Sequence, residues 1–295
     1  MSQISLPVIA LFISSIGWGL TWLPLKFLSA QGMQGLPLIL IAFGASAIAL
    51  IPFTYRERSR WQGHFHLLLL IAFFGGFANL AFQTAIYHGD VIRVMILFYL
   101  LPVWSVLGGW LFLGETLDLK RAIAVIAALS GAFLILGGPQ IFNSPPGWID
   151  LLAIGAGLSF ALNNIVFRYA EQLPLTGKVN AVFVGCALMV LVYLLLLPSS
   201  FTSLSSSNIL LTIVYGMGWI MLITFGTQWG VERLEAGRAA IIIIMELVAA
   251  VLSAAMILGE TLQGMELIGG LLILAAALTE IFRAEPQQPS LQPEG

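Results

Sequence analysis

Charge is what this chain has least of. Asp, Glu, Lys and Arg make up 9% of its 295 residues, against roughly 25% in an ordinary soluble domain, and the mean hydropathy is +1.00. So little charge cannot cover a water-facing surface of this size, and a soluble fold is excluded. The formal net charge of −2 leaves no basic excess, so no nucleic-acid partner is expected. The single cysteine, Cys186, can form no intrachain disulfide. Metal ligands are equally scarce: His64 and His66 have no carboxylate set beside them and His88 stands alone, so neither a metal site nor H-E-x-x-H chemistry is expected. There is no P-loop. Gly155 and Gly157 begin a G-x-G pattern, but Phe160 takes the third glycine position and no strand precedes it. The expectation is a protein without a cofactor that is not an enzyme.

What the chain has in abundance is apolar sequence. A helix crossing a bilayer needs about 20 mostly apolar residues, because unpaired backbone groups are not tolerated in lipid. Ten such runs fit, near 6–28, 36–54, 66–87, 92–113, 119–138, 148–169, 179–198, 208–231, 236–258 and 264–282. Turn and charge signals separate them, among them Gly32 and Gly35, the Arg56 to Arg60 cluster, Gly137 to Pro146, and Ser203 to Ser207. The first run lacks a positive leader and a small-residue cleavage site, so it is read as a retained helix. The segment 284–295, rich in Pro and Gln, reads as a disordered cytoplasmic tail.

The runs form two sets of five. L-G-E-T-L occurs at Leu113 to Leu117 and again at Leu258 to Leu262, an offset of 145. At that offset Gln83 meets Gln228 and Arg93 meets Arg238; at an offset of 142, Trp18 meets Phe160 and Lys26 meets Arg168. The repeats are placed at 1–140 and 147–283. Each L-G-E-T-L reads as a turn, with Gly114 ending one helix and Thr116 or Asp118 capping the next, in preference to a direct role for Glu115 or Glu260 in a substrate path. With the amino terminus in the cytoplasm, ten Lys and Arg fall on the inner side and only Lys26 and Arg93 outside, so the positive-inside rule puts both termini in the cytoplasm. Five spans per repeat make the second copy enter from the opposite side. The fold class is therefore an all-α membrane protein of ten helices in two inverted five-helix repeats, an architecture that suits alternating access to a central site.

Polar residues inside spans mark where that site would be. Asn79 and Gln83 lie one turn apart in the third span, Thr224 and Gln228 repeat the pair in the eighth, and Asn163 and Asn164 lie in the sixth. Each needs a partner in lipid. Interhelical hydrogen bonding, worth about 0.6 kcal/mol per residue on average, is the alternative to lining a cavity. Trp18, Tyr99 and Trp219 lie deep enough for a pocket, whereas Trp22, Tyr215 and Trp229 suit interfacial anchors. Ala153, Gly157 and Ala161, and Gly226 with Gly230, are spaced for close helix crossings. Spans two, five, seven and ten are almost wholly apolar and read as scaffold. Lys26, Arg93, Arg168 and Arg238 are candidate gate or rim residues, with snorkelling as the plainer reading.

The ten-span pattern, the doubled G-E-T after the fourth and ninth spans, Trp18-Gly19 and Lys26 in the first, and Pro102 in the fourth resemble EamA-type transporters of the drug/metabolite transporter superfamily, across residues 6–283. The resemblance implies an inner-membrane carrier, often an exporter of amino acids or other small metabolites, with spans one, three, four, six, eight and nine around the cavity. It does not identify the substrate. Two other classes stand beside it: a membrane-embedded enzyme modifying lipid, for which the sequence shows no acid/base cluster at an interface, and a scaffold or receptor subunit without transport.

The substrate-binding set expected from the sequence is Trp18, Asn79, Gln83, Tyr99, Asn163, Trp219, Gln228 and Glu246. Aromatic faces with neutral hydrogen-bonding groups suit a small amphipathic metabolite such as a hydrophobic or aromatic amino acid. Glu246 lies mid-span, where an Asp costs about 2.5 to 3.5 kcal/mol on insertion scales, and its repeat partner is Leu101. A residue so costly and so unsymmetrical points to function, through proton exchange or by holding a substrate ammonium; a structural hydrogen bond is the competing reading. The expected partners are a small-molecule substrate and the bilayer, with proton coupling compatible and both monomer and homodimer open.

Overall fold

The computed structural model describes residues 6–33, 35–113, 119–135, 139, 146–196, 205–233, 236–259 and 264–281. Among these every regular element is helical, and helices stand at all ten expected positions. The first span is α1 (Leu6–Gly19) with α2 (Trp22–Ala30), and the second is α3 (Gly35–Arg56). A short α4 (Arg58–Trp61) leads into α5 (Phe65–His88). The fourth span is α6 (Val91–Phe98) with α7 (Leu101–Leu113), and the fifth is α8 (Leu119–Ile135). The second repeat comprises α9 (Trp148–Tyr169), α10 (Leu175–Leu196), α11 (Ser206–Tyr215) joined to α12 (Met221–Val231), α13 (Ala236–Leu258) and α14 (Gly264–Ile281). Six stretches are long and apolar enough to cross a membrane: Leu6–Ala30, Gly35–Arg56, Arg58–His88, Trp148–Phe167, Leu175–Leu196 and Ser206–Val231. Shorter apolar segments, Ala122–Leu134, Met245–Leu258 and Leu267–Ala276, lie in α8, α13 and α14.

Proline explains two of the interruptions. Pro24 and Pro102 have no amide hydrogen, so the carbonyls four residues earlier, Leu20 and Phe98, lose their helical donors. The chain breaks there, between α1 and α2 and between α6 and α7. At the corresponding places the second repeat has no proline, and α9 and α13 run unbroken. Its own irregularity is a π-helical turn, Gly216–Ile220, between α11 and α12.

The helices pair by a pseudo-twofold rule. The third span packs on the sixth and the eighth on the first; the fourth packs on the sixth and the ninth on the first. The third also packs on the seventh, as the eighth does on the second, while second with seventh and fifth with tenth are self-related pairs. All of these contacts join the two repeats, whereas contacts within a repeat, such as third with second, eighth with seventh, fourth with fifth and ninth with tenth, are minor. Neither half therefore has a core of its own. With five spans in each, the repeats are inverted.

Small residues set the distances. A Cβ on Gly185 would overlap the Ala72 carbonyl where α10 crosses α5, and one on Gly216 would overlap the Ala42 carbonyl where the eighth span crosses α3. These crossings are repeat equivalents to within a residue. The G-x-x-x-G of the eighth span lies against α1 as its spacing predicts, Gly226 on Ser14 and Gly230 on Leu11. Spans two and seven, read as scaffold, meet through Phe43 and Phe183, both fully buried with ring centroids 5.7 Å apart, and through an Asn180 to Thr54 hydrogen bond of 3.0 Å.

Two ion pairs lie at opposite ends of the bundle. Arg93, at the start of α6, holds Asp150 near the start of α9 through Nε–Oδ1 at 2.7 Å and Nη2–Oδ2 at 3.2 Å, which ties the repeats together. Asp90 caps α6 by accepting from the Arg93 amide at 2.8 Å. At the other end Lys178, 1% exposed, reaches Glu232 at 2.7 Å and lies over the Phe167 ring.

Two expectations change. Trp22 and Tyr215, read as interfacial anchors, are buried: Trp22 donates to Ser253 Oγ at 3.0 Å and Tyr215 to Gln83 Oε1 at 3.2 Å. Their nearness to span ends in sequence concealed that neighbouring helices cover them. In the second L-G-E-T-L, Gly259 follows α13 with φ +69, the left-handed conformation glycine supplies at a helix end. Gly114 to Asp118, Glu260, Thr261 and the 284–295 tail lie outside the described residues.

Candidate functional site: a cavity between the repeats

Where α1, α5, α6, α9, α12 and α13 converge, they leave a cavity of about 630 Å³, including its open mouth. Five of the eight residues expected to bind substrate line it: Trp18, Asn79, Asn163, Gln228 and Glu246. Phe82, Phe98 and Phe160 supply most of its aromatic wall, with Thr224, Thr227 and Ile243. Phe82 and Phe98 stack with centroids 4.9 Å apart, and Phe98 lies 5.8 Å from Phe160.

Close backbone approach builds this wall. A Cβ on Gly19 would overlap the Glu246 carbonyl, so glycine there lets α1 lie directly against the turn of α13 that carries the carboxylate. Gly157 does the same for α9 against the Phe98 carbonyl, the one left without a helical donor by Pro102. Trp18-Gly19 thus places the aromatic ring and the helix crossing side by side. On α5, Gly75 lies under Asn163 and Asn79 donates Nδ2 to the Gly75 carbonyl at 2.9 Å.

Two of the cavity's residues carry buried polar atoms with no partner. Glu246 is 8% exposed, Asn163 2%. Asn163 Oδ1 and Thr227 Oγ1 are buried without a hydrogen-bond partner. An unmet buried acceptor costs about 1 to 3 kcal/mol, which is tolerable where a ligand supplies the donor. Among the described residues lining the cavity there is no Lys, Arg or His, so Glu246 is its only ionisable group.

The other three expected binding residues stand behind the wall. Tyr99 donates to the Ile243 carbonyl at 2.8 Å, one turn before Glu246. Trp219, in the π-helical turn, donates Nε1 to Thr21 Oγ1 at 3.2 Å. Gln83 is fully buried beside Tyr215 and faces a different space. Of the rim candidates, Arg93 is engaged with Asp150 and Lys26 lies 5.9 Å from the Trp22 ring centroid. The side chains of Arg168 and Arg238 lie outside the described residues. No group of three or more potential metal ligands occurs among the described residues. The sequence reading missed Thr227, although its position three after Thr224 put both on one helical face, and it missed Asp150 as the partner of Arg93.

Comparison with known proteins agrees with this architecture. The profile of the EamA-like transporter family matches twice, over residues 5–137 and 147–280. A "Probable amino-acid metabolite efflux pump" from Salmonella typhimurium (strain LT2) is 28% identical over 192 residues, 60% of this chain and 62% of that protein. The match therefore spans less than two thirds of that relative's length. An "Uncharacterized transporter" from Archaeoglobus fulgidus is 24% identical over 78% of this chain and 81% of its own. A solved crystal structure superposes with a TM-score of 0.61 over 93% of this chain and 96% of the other at 15% identity, a likeness of fold alone. With the family profile covering both repeats of this multi-pass membrane protein, the chain belongs to the EamA-like transporter family.

Proposed function

We propose that this protein exports a small amphipathic metabolite bearing an ammonium group, such as a hydrophobic or aromatic amino acid, by alternating access around the central cavity. The observation that carries the reading is the cavity's composition: aromatic walls, buried polar atoms without partners, and Glu246 as the sole ionisable group among the described lining residues. A substrate ammonium would sit at Glu246 and Asn163, and the apolar body against Trp18, Phe82, Phe98 and Phe160. The Salmonella relative's name, an amino-acid metabolite efflux pump, supports the same substrate class. Tyr99 and Trp219 act as positioning residues, holding α13 and the first span against their neighbours.

The two repeats, 1–140 and 147–283, would rock against each other in a cytoplasmic membrane, bacterial inner membrane in type, with both termini and the 284–295 tail in the cytoplasm. That orientation rests on the distribution of Lys and Arg. In it, Arg93 with Asp150 bridges the repeats at the outer end and must part as that side opens, and Lys26, Arg168 and Arg238 stand at the rims.

Purified protein in liposomes should take up radiolabelled hydrophobic amino acids with saturable kinetics. Trp18→Ala and Gln228→Leu should each raise the apparent KM about tenfold or more, the loss of roughly 1.4 kcal/mol of binding. Saturable uptake with an unaltered KM in both variants would remove the cavity as the substrate site; no flux of any amino acid or amine would remove the substrate class.

A further inference from the structure

A second, smaller space of about 270 Å³, including its open mouth, lies near the end of the bundle opposite the amino terminus, between α2, α3 and α5. Leu25, Leu36 and Ile39 form its apolar side, and Gln83, Thr84, Tyr87 and His88, successive turns at the end of α5, form the other. Gln83 is 0% exposed. Its Oε1 accepts from Tyr215, but its Nε2 has no partner. A buried amide N–H left unmet costs about 1 to 3 kcal/mol.

The repeat gives an internal comparison. Through the offsets of 142 and 145, Leu25 corresponds to Phe167, Leu36 to Lys178 and Tyr87 to Glu232. Those three are the residues of the ion pair at the other end of the bundle, where Lys178 is buried over the Phe167 ring and bound to Glu232. The same architectural position is thus filled in one copy by an aromatic ring and a paired charge, and in the other is left hollow over an unmet donor. Inverted symmetry does not demand the hollow.

We propose that this space is a second ligand site, distinct from the central cavity, for a small uncharged and largely apolar molecule that offers a hydrogen-bond acceptor, such as a carbonyl, to Gln83 Nε2. Among the described residues no Asp, Glu, Lys or Arg lines the space, so the desolvation of an ion there would go uncompensated. The unmet Gln83 N–H at the buried end and the aliphatic side opposite fix the orientation: acceptor inward, apolar body toward Leu36 and Ile39. The site is independent of the transported substrate, since its walls share no residue with the central cavity.

Benzophenone meets this description and reports its own position, because its carbonyl is the acceptor and its photoexcited ketone inserts into nearby C–H bonds. Irradiation of the purified full chain with benzophenone, followed by peptide mass mapping, should give saturable adducts on Leu25, on Leu36 to Ile39, or on Thr84 to Tyr87. Gln83→Leu removes the donor at similar volume, and Leu36→Trp fills the space from the first turn of α3; each should reduce those adducts at least fivefold while adducts on lipid-facing residues persist. Leu36→Trp should keep amino-acid flux if the proposed transport reading holds, so failure of either idea leaves the other measurable. Adducts at these peptides that neither variant reduces, or adducts found only elsewhere, would overturn the site. Should Gln83→Leu fail to fold, Leu36→Trp alone decides the matter by the same criterion.

Discussion

Glu246→Ala should abolish concentrative transport, with flux falling at least a hundredfold while the protein still inserts and purifies. Glu246 is 8% exposed and sits where Gly19 brings α1 against its own turn of α13. Truncation removes the only ionisable group among the described residues of the cavity and leaves neutral acceptors, Asn163 Oδ1 among them, for an ammonium. Glu246→Gln separates the roles, since glutamine mimics the protonated acid. A proton-coupled carrier with Gln at 246 keeps substrate exchange but loses accumulation driven by a pH gradient; an ammonium site loses apparent affinity in both assays. Exchange and gradient-driven uptake in reconstituted vesicles, each across a pH series, read the difference. Wild-type rates and an unchanged pH profile in both variants would make Glu246 a packing residue.

Gly185→Ala should be the most damaging single-methyl change in the scaffold. The added Cβ would meet the carbonyl and Cα of Ala72, backbone atoms with no rotamer by which to retreat. Overpacking of that kind costs about 3 kcal/mol, a large share of the roughly 5 to 15 kcal/mol available to a folded domain. Because α5 also carries Asn79, displacement of α10 from α5 would disturb the cavity too. Gly44→Ala is the matched control: nothing lies within 4 Å of its Cβ position, and mid-helix alanine gains about 0.5 to 1 kcal/mol over glycine. Thermal unfolding in mild detergent should show Gly185→Ala well below wild type and Gly44→Ala at or above it. Equal midpoints for the two would contradict the close crossing.

Much of this organisation is legible in the sequence because bilayer physics is blunt. Apolar runs of bilayer length, broken by charge or glycine, gave all ten helix positions, and one repeated pentapeptide was enough to pair the halves. The central cavity was legible in part for a similar reason. Polar side chains are rare inside spans, so Asn79, Asn163, Gln228 and Glu246 stood out, and all four line it. Composition says nothing, however, about the rotation of a helix around its axis. Gln83 is one turn from Asn79 on α5, yet the two face different spaces. Tyr99 and Trp219 have the chemistry of pocket residues but spend it on the Ile243 carbonyl and the Thr21 hydroxyl, partners 144 and 198 residues away in sequence. Asp150 illustrates the same limit. An acid at the first turn of a helix reads as a favourable dipole partner; its bidentate bond to Arg93 depends on how two repeats dock.

The central claim, a cavity between inverted repeats that opens alternately to the two sides, is tested most directly by reactivity of a cavity residue from each face. Cys186, the sole native cysteine, is fully buried, so background labelling is low. Asn79→Cys places a thiol on the cavity wall, and a membrane-impermeant charged thiosulfonate can be applied to right-side-out and to inside-out vesicles in parallel. Alternating access requires the thiol to react from both faces, with an added substrate slowing both reactions. Reaction from one face alone, unchanged by any amino acid or amine, would contradict it.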